Sequence, residues 1–186
     1  CGGAESETDP PLFESVNESG DAAVLLVCDH ASNALPASYG TLGLDPEFLD
    51  RHIAFDIGAA DITRRMSRAL DAPAVLSGYS RLLIDCNRQP GHVTSIPEIS
   101  DNIEVPLNCD LSVEEVQYRQ ATYFQPFHSA VERSLGRFAA RGVVPAYVAM
   151  HSFTPIMNGY ERPWHVGILW NEDPRLANPL IEVLSE

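Results

Sequence analysis

Two histidines, His30 and His151, each come at the end of a short apolar run of the kind that forms a buried strand. The run before His30 covers residues 22–28, and the run before His151 covers residues 146–150. A neutral imidazole is the commonest nitrogen ligand of zinc, and the end of a strand holds it rigidly. A single histidine in such a place more often caps the following turn. Two in matching places favour a shared metal site, for which a divalent ion, zinc above all, is expected.

A catalytic zinc site needs a third protein ligand besides the two imidazoles. We expect Asp56, which lies between two segments of helical pattern, to provide it. A competing interpretation makes Asp56 the N-cap of the helix that begins near Gly58. The amide oxygen of Asn33, three residues after His30, is an alternative ligand, so the identity of the third ligand stays open at this point.

The segment 80–89 has arginines on both sides of an apolar centre. A guanidinium is a planar fork that fits a carboxylate through two parallel hydrogen bonds. Arg81, Asn87 and Arg88 are therefore predicted to bind a substrate carboxylate, or to polarise a carbonyl oxygen as charge develops on it during a reaction. The alternative is a structural ion pair between these arginines and Asp85 or another acidic residue.

The elements that must position these residues follow from the apolar pattern. Short apolar runs predict strands at 22–29, 74–77, 81–86, 146–150 and 165–170. Helical spacing and capping residues predict helices from Asp45, over 58–70, over 112–141 and from about 173. Strands that alternate with helices are typical of an α/β domain with a mainly parallel sheet. Ligands bind at the carboxyl ends of such strands, so His30, Asn87 and His151 are expected to converge on one crevice, where Ser152 would contact the substrate.

The rest of the chain is expected to support one domain. Residues 1–21 are acidic and rich in Gly, Ser and Pro, which predicts a loosely ordered N-terminal arm. Residues 22–186 are expected to form a single α/β domain. The segment 89–111 has no stable period and is predicted to be a long loop that serves as a lid or binding loop. Within the helix over 58–70, Ile62, Met66 and Leu70 are expected to lie on one face.

Charge narrows the choice of partners. The formal net charge is −14, from 26 acidic and 12 basic residues, and every basic residue is an arginine. Nucleic acids and anionic membrane surfaces would repel such a chain, so neither is an expected partner. A small anionic substrate fits if a few arginines are concentrated in a cleft. No apolar run approaches the roughly 20 residues that span a bilayer, and no signal peptide is recognisable, so a cytoplasmic location is expected.

Taken together, these motifs resemble the N-formylglutamate amidohydrolase family over roughly residues 22–175. The segments that carry the resemblance are Cys28–Asn33, His52–Gly58, Ser80–Arg88, His151–Pro155 and Arg162–Gly167. The Asp-x-Asn-Arg part of the third segment is also similar to the substrate-binding motif of aspartoacylases and zinc carboxypeptidases. The resemblance implies a three-layer α/β/α fold with a mainly parallel mixed sheet, phosphorylase/hydrolase-like and related to zinc carboxypeptidases.

The activity that the resemblance implies is hydrolysis of an amide bond in a small acidic N-acyl amino acid by a metal-activated water. Two departures keep alternatives open. The related families have His-x-x-Glu where this chain has Asn33 at the fourth position, and their general-base glutamate comes late in a longer chain. Glu161 is a candidate for that base, or a further C-terminal part would carry it. The alternatives are a non-catalytic protein that binds a carboxylate in the same crevice, and the same hydrolysis on another N-acyl amino acid.

Overall fold

The structure is a computed structural model in which residues 9–157 and 159–185 are described. Two compact units are present, and they divide between Ser152 and Phe153. The strands of the first unit are β1 Phe13–Val16, β2 Val24–Cys28, β3 Ala74–Ser77, β4 Ile99–Ser100, β5 Ile103–Glu104 and β6 Ala146–Ala149. Its helices are α1 Ala59–Leu70, α2 Val113–Arg119 and α3 Gln125–Ala140, with a π turn at Gln120–Phe124 and 3₁₀ turns at Ala37–Tyr39, Pro46–Asp50 and Pro106–Asn108. The second unit contains β7 Ile156–Met157, β8 Tyr160–Glu161 and α4 Ala177–Leu184.

A four-stranded sheet in the order β1-β3-β2-β6 organises the first unit. β2 is parallel to both β3 and β6, and β1 is antiparallel to β3 at the edge. The predicted α/β class with a mainly parallel sheet is therefore confirmed. β1 lies inside the segment predicted as a loosely ordered arm, so that prediction is wrong for residues 13–16, while residues 1–8 lie outside the described part of the chain.

Each face of the sheet packs against a helix because side chains along β2 alternate between the two faces. Leu25 and Val27 pack with Phe127 of α3 on one face. Leu26 and Cys28 pack with Ala59 of α1 on the other. This arrangement buries the centre of the sheet and leaves the carboxyl ends of β2 and β6 at its edge.

The buried face of α1 carries small side chains. Ala59, Thr63 and Ser67 are buried, whereas Ile62 and Leu70 are about half exposed. Small side chains allow the helix backbone to lie close to the sheet, and the Thr63 hydroxyl donates to the carbonyl of Ala59 within the helix. Close packing of α1 against the sheet therefore uses small residues, with Met66 partly buried against the same cluster.

The segment 81–86 is not the predicted strand but a series of turns. Its backbone amides donate locally or to a loop, as Leu83 does to Ser80 and Asp85 does to Ser95. Leu82 packs into one apolar cluster, and Leu83 and Ile84 pack into another. Three successive apolar residues are typical of a central strand, which is why the sequence predicted one. In the structure these residues are buried in two separate parts of the core.

The remaining elements can be compared with their predicted bounds in the same way. The long predicted helix is divided near Pro126 by the π turn that precedes α3. The predicted loop 89–111 contains the short β4–β5 hairpin. The predicted strand at 165–170 is irregular and largely exposed, and the last helix begins at Ala177 rather than near 173. No described helix has the length and apolar character needed to cross a membrane.

Candidate metal centre

The two predicted histidine ligands are brought together by neighbouring parallel strands. β2 and β6 pair in register with Val27 opposite Ala149, so the residues that follow the two strands leave the sheet side by side. His30 and His151 have ring centroids 5.2 Å apart. Their predicted convergence at the carboxyl ends of the strands is therefore what the structure shows.

Asp56 completes the group. Its Oδ2 atom lies 2.9 Å from His151 Nδ1 and 3.4 Å from His30 Nδ1. The amide of Ser152 also donates to this oxygen over 3.3 Å, and the amide of Asp56 donates to the carbonyl of His30. The carboxylate of Asp56 does not cap α1, whose N-cap residue Gly58 makes no side-chain bond, so the capping interpretation is wrong.

Asn33, the alternative third ligand, is turned away from the histidines. Its side-chain amide donates to the carbonyl of Leu49 over 3.0 Å and to Asp50 over 3.2 Å. The geometry therefore favours Asp56 over Asn33 as the partner of His30 and His151.

Two further carboxylates, for which the sequence predicted no such role, lie behind the imidazoles. Asp85 Oδ1 lies 2.7 Å from Nε2 of His30, and Asp29 Oδ2 lies 3.6 Å from Nε2 of His151. In proteins, a metal-binding histidine commonly donates its second ring N–H to a carboxylate, which fixes the orientation of the ring. Each imidazole thus presents Nδ1 to Asp56 and Nε2 to a second acid. Asp29 and Asp85 each face a histidine that is far away along the chain, so no local signal in the sequence predicts either pair.

The guanidinium of Arg81 forms ion pairs with two of the same acids, Asp85 and Asp56. Its Nη2 atom lies 2.9 Å from Asp85 Oδ2, and its Nη1 atom lies 3.5 Å from Asp56 Oδ1. The ion pair with Asp85, weighed as the alternative for this segment, is present. Arg81 therefore balances charge within the cluster, and its predicted role in binding a substrate stays a prediction.

Asn87 and Arg88 lie beside the cluster on its accessible side. The amide of Asn87 donates to Asp85 over 2.8 Å, and its side-chain nitrogen lies 3.4 Å from His151 Nε2. The guanidinium of Arg88 donates to the carbonyl of Asn87 and to the hydroxyl of Thr94. Among the described residues, no carboxylate forms an ion pair with Arg88.

Ser152 and Glu161 are the remaining residues for which the sequence predicted a role in the site. The contact that links Ser152 to the cluster uses its backbone amide and not its hydroxyl. Glu161, the candidate general base, lies in β8 of the second unit. Their predicted roles in substrate contact and base catalysis stay predictions.

The electrostatics of the group depend on burial. Asp29, Asp56 and Asp85 are buried, as is His30. Burial by itself favours the neutral carboxyl, but hydrogen bonds from His151 and His30 outweigh it and hold the pKa of Asp56 well below its usual value. Burial likewise opposes the charged form of His30, yet the carboxylates of Asp56 and Asp85 keep the pKa of its imidazole above the usual value. At Asp29, burial dominates and raises the pKa.

The donor set fits a divalent cation. The cluster contains three buried carboxylates and, among the described residues, one guanidinium, that of Arg81, which contacts Asp56 and Asp85. With ionised carboxylates and neutral imidazoles its formal charge is therefore −2. One ligand atom from each of His30, Asp56 and His151 lies within 4.8 Å of the other two. Ligands about 2.0–2.1 Å from a tetrahedral zinc are themselves roughly 3.3 Å apart, which is close to the His–Asp separations found here.

One side of the group faces solvent. The His151 side chain is 35% exposed, and Asn87 beside it is exposed, whereas His30 is buried. Catalytic zinc sites keep an open coordination position for water or substrate, while structural sites are closed by four protein ligands. The arrangement therefore matches a catalytic site more closely than a structural one.

Comparisons with known proteins agree with this geometry. The family model for N-formylglutamate amidohydrolase matches residues 22–186. The crystal structure of gene product Atu2144 from Agrobacterium tumefaciens is similar, with a TM-score of 0.91 and 36% sequence identity. The alignment covers 98% of this chain and 71% of that one. A search of curated proteins found no match.

The raised pKa of His30 predicts a pH dependence of the metal-free protein. A histidine whose pKa is higher in the folded than in the unfolded state stabilises the fold fully below about pH 6.5. This contribution is lost as the pH rises through the folded-state pKa. In the presence of a chelator, the free energy of unfolding of the parent minus that of His30→Gln should therefore shrink from pH 5.5 to pH 9, as measured by urea denaturation.

The matched control is His92→Gln, which removes an exposed imidazole from a turn. The series starts at pH 5.5 so that Asp56 and Asp85, whose pKa values are lowered, stay ionised throughout. A parent-minus-variant difference for His30 that stays flat or grows with pH would show that the imidazole is not stabilised in its charged form.

Proposed function

Because this chain belongs to the N-formylglutamate amidohydrolase family, we propose that it is a metal-dependent hydrolase of small acidic N-acyl amino acids. The bond that is cut is the amide bond, in a substrate similar to N-formylglutamate. The observation that carries the proposal is the group of His30, Asp56 and His151, whose ligand atoms converge while both imidazoles are backed by further carboxylates.

The proposed metal is zinc. Two imidazole nitrogens and one carboxylate oxygen form a donor set that zinc accepts in catalytic sites. When bound, such an ion supplies Lewis-acid chemistry, which acidifies water and polarises a carbonyl oxygen. The residues that would hold it are His30, Asp56 and His151.

The acids behind the imidazoles have a positioning role in this proposal. Asp85 fixes the ring of His30 by accepting its Nε2–H over 2.7 Å, and both groups are buried. Asp29 faces Nε2 of His151 at the longer distance of 3.6 Å. Arg81, paired with Asp85, keeps this concentration of negative charge tolerable in the buried part of the site.

Arg88 and Asn87 are the proposed anchors of the substrate carboxylate. The guanidinium of Arg88 is held by the carbonyl of Asn87 and by Thr94, both neutral acceptors, so its charge is left for an anionic ligand. Asn87 is adjacent to Arg88 in sequence, and its side-chain nitrogen lies 3.4 Å from His151 Nε2. A substrate carboxylate bound by both residues would therefore lie next to the proposed metal ligands. Binding energy at the carboxylate would then hold the amide bond close to the reacting groups. The hydroxyl of Ser152 is a further proposed substrate contact.

The proposal also covers the fold. A helix on each face of a mainly parallel sheet, with the site at the carboxyl ends of β2 and β6, supports the predicted three-layer α/β/α arrangement and the relation to zinc carboxypeptidases. A single domain over residues 22–186 remains part of the same proposal.

The direct test is hydrolysis. Purified protein loaded with zinc should release formate and glutamate from N-formyl-L-glutamate, and a chelator should abolish turnover until zinc is restored. N-formyl-L-leucine, which lacks the side-chain carboxylate, is the matched substrate and should be cut far more slowly. Binding of N-formyl-L-glutamate without hydrolysis would instead support the alternative of a carboxylate-binding protein, and turnover that survives chelation would contradict metal dependence.

Loss of the proposed anchor should weaken substrate binding and spare the metal. Arg88→Ala is expected to raise KM for N-formyl-L-glutamate by about 10- to 100-fold, since a charge-assisted hydrogen bond contributes about 1.5–3 kcal/mol. The bound metal per chain should not change. Arg51→Ala, which removes an exposed arginine paired with Asp101, is the control. An Arg88→Ala enzyme with the parent's KM would remove Arg88 from the substrate site.

A further inference from the structure

The turn segment that carries Asp85 and Asn87 lacks the support of a sheet. A strand would satisfy its carbonyl groups through ladder hydrogen bonds, but residues 81–86 are turns. Buried carbonyl groups without partners are costly, so other donors must replace the ladder. Two side chains do so: Asn108 Nδ2 donates to the carbonyl of Leu82 over 2.8 Å, and Arg119 Nη1 donates to the carbonyl of Leu83 over 3.1 Å.

These two side chains also hold each other. Arg119 Nη1 donates to Asn108 Oδ1 over 2.7 Å. Asn108 Nδ2 makes a second bond to the carbonyl of Pro97, and Arg119 Nη2 donates to the carbonyl of Leu107. The pair therefore joins helix α2 to the turn segment and to the 97–108 loop at once.

Arg119 is 1% exposed, and its charge is balanced by Glu115. Its Nε donates to Glu115 over 2.7 Å, and Glu115 also accepts from the hydroxyl of Tyr39. The guanidinium carbon lies 4.8 Å from the centre of the Tyr39 ring. A buried cation with this many partners in a fixed fork cannot be replaced by an ammonium group without losing some of them.

We propose that Arg119, together with Asn108, is a positioning residue for the metal centre. The Leu83 carbonyl that Arg119 holds is two residues from Asp85, and Asp85 in turn orients His30 and accepts the amide of Asn87. Arg119 thereby sets the position of a metal ligand and of a substrate anchor from a helix that contributes neither. The metal part of this inference rests on the proposed function.

The experiment compares Arg119→Lys and Asn108→Asp with the parent. Arg119→Lys keeps the charge but loses the fork. Asn108→Asp keeps the acceptor for Arg119 but loses the donor to the carbonyl of Leu82, so it tests the same link if the lysine variant does not fold. Arg64→Met is the control, because Arg64 pairs with Glu14 and joins β1 to α1 instead of supporting the turn segment.

Two readouts separate positioning from a general loss of stability. The first is zinc affinity, measured by competition with a chromogenic chelator well below each variant's unfolding temperature. The second is the downfield proton resonance of His30 Nε2–H in the metal-free protein, assigned by its absence in His30→Gln. Both Arg119→Lys and Asn108→Asp should weaken zinc binding about tenfold, as loss of an outer partner of a metal ligand does, and should shift or broaden the resonance.

Arg64→Met should lower the unfolding temperature and leave both readouts unchanged. Folded Arg119→Lys and Asn108→Asp variants with the parent's zinc affinity and the parent's resonance would overturn the positioning role. A parent that binds no zinc, but whose His30 resonance moves in the Arg119→Lys variant, would refute the metal centre and retain the positioning role. The two proposals can therefore fail separately.

Discussion

The constraint on which the site depends is the concentration of acids around two imidazoles. Asp29, Asp56 and Asp85 are all buried, and in the part of the chain that the structure describes Arg81 is the one arginine that pairs with them, contacting Asp56 and Asp85. An ionised carboxylate without a partner loses several kcal/mol when it leaves water, so each must have one. In the metal-free protein, His30 and His151 are these partners. Because of this pairing, the pKa of His30 is raised and the pKa of Asp56 is lowered. The same excess of negative charge is what a divalent cation would neutralise.

Each acid reaches the group by a different route, which explains why the surrounding fold is built as it is. Asp29 follows β2, Asp56 lies in the turn before α1, and Asp85 is held in a turn segment that has no sheet ladder. The parallel pairing of β2 with β6 fixes the two histidines rigidly. The position of Asp85 depends instead on side chains, above all the buried Arg119 and Asn108. The ends of β2 and β6 position the two histidines, and the supported turn positions Asp85. Together these elements can orient both Nδ1 atoms toward the carboxylate of Asp56.

The sequence predicted the structure correctly where a pattern had only one physical explanation. A continuous apolar run identified β2 and β3, and two histidines after matching runs identified the pair at the sheet edge. Prediction from the sequence was wrong where a residue can be buried for more than one structural reason. Leu82, Leu83 and Ile84 suggested a strand although they fill two clusters. The close packing of α1 depends on Ala59 and Thr63, whose small side chains give little apolar signal in the sequence. The contact of Asp85 with His30 and that of Arg119 with the carbonyl of Leu83 could not be predicted either, because contacts between residues so distant along the chain are fixed by tertiary packing and leave no local signal.

The measurement that tests the account most directly is the metal content of the purified, chelator-untreated protein, determined by elemental mass spectrometry beside His30→Ala and His151→Ala. The account predicts about one zinc or similar divalent ion per chain in the parent, as in a mononuclear catalytic site, and almost none in either variant. A parent that stays empty even after zinc is added would contradict it. So would a full metal complement in both variants, since the ion would then be held by other residues.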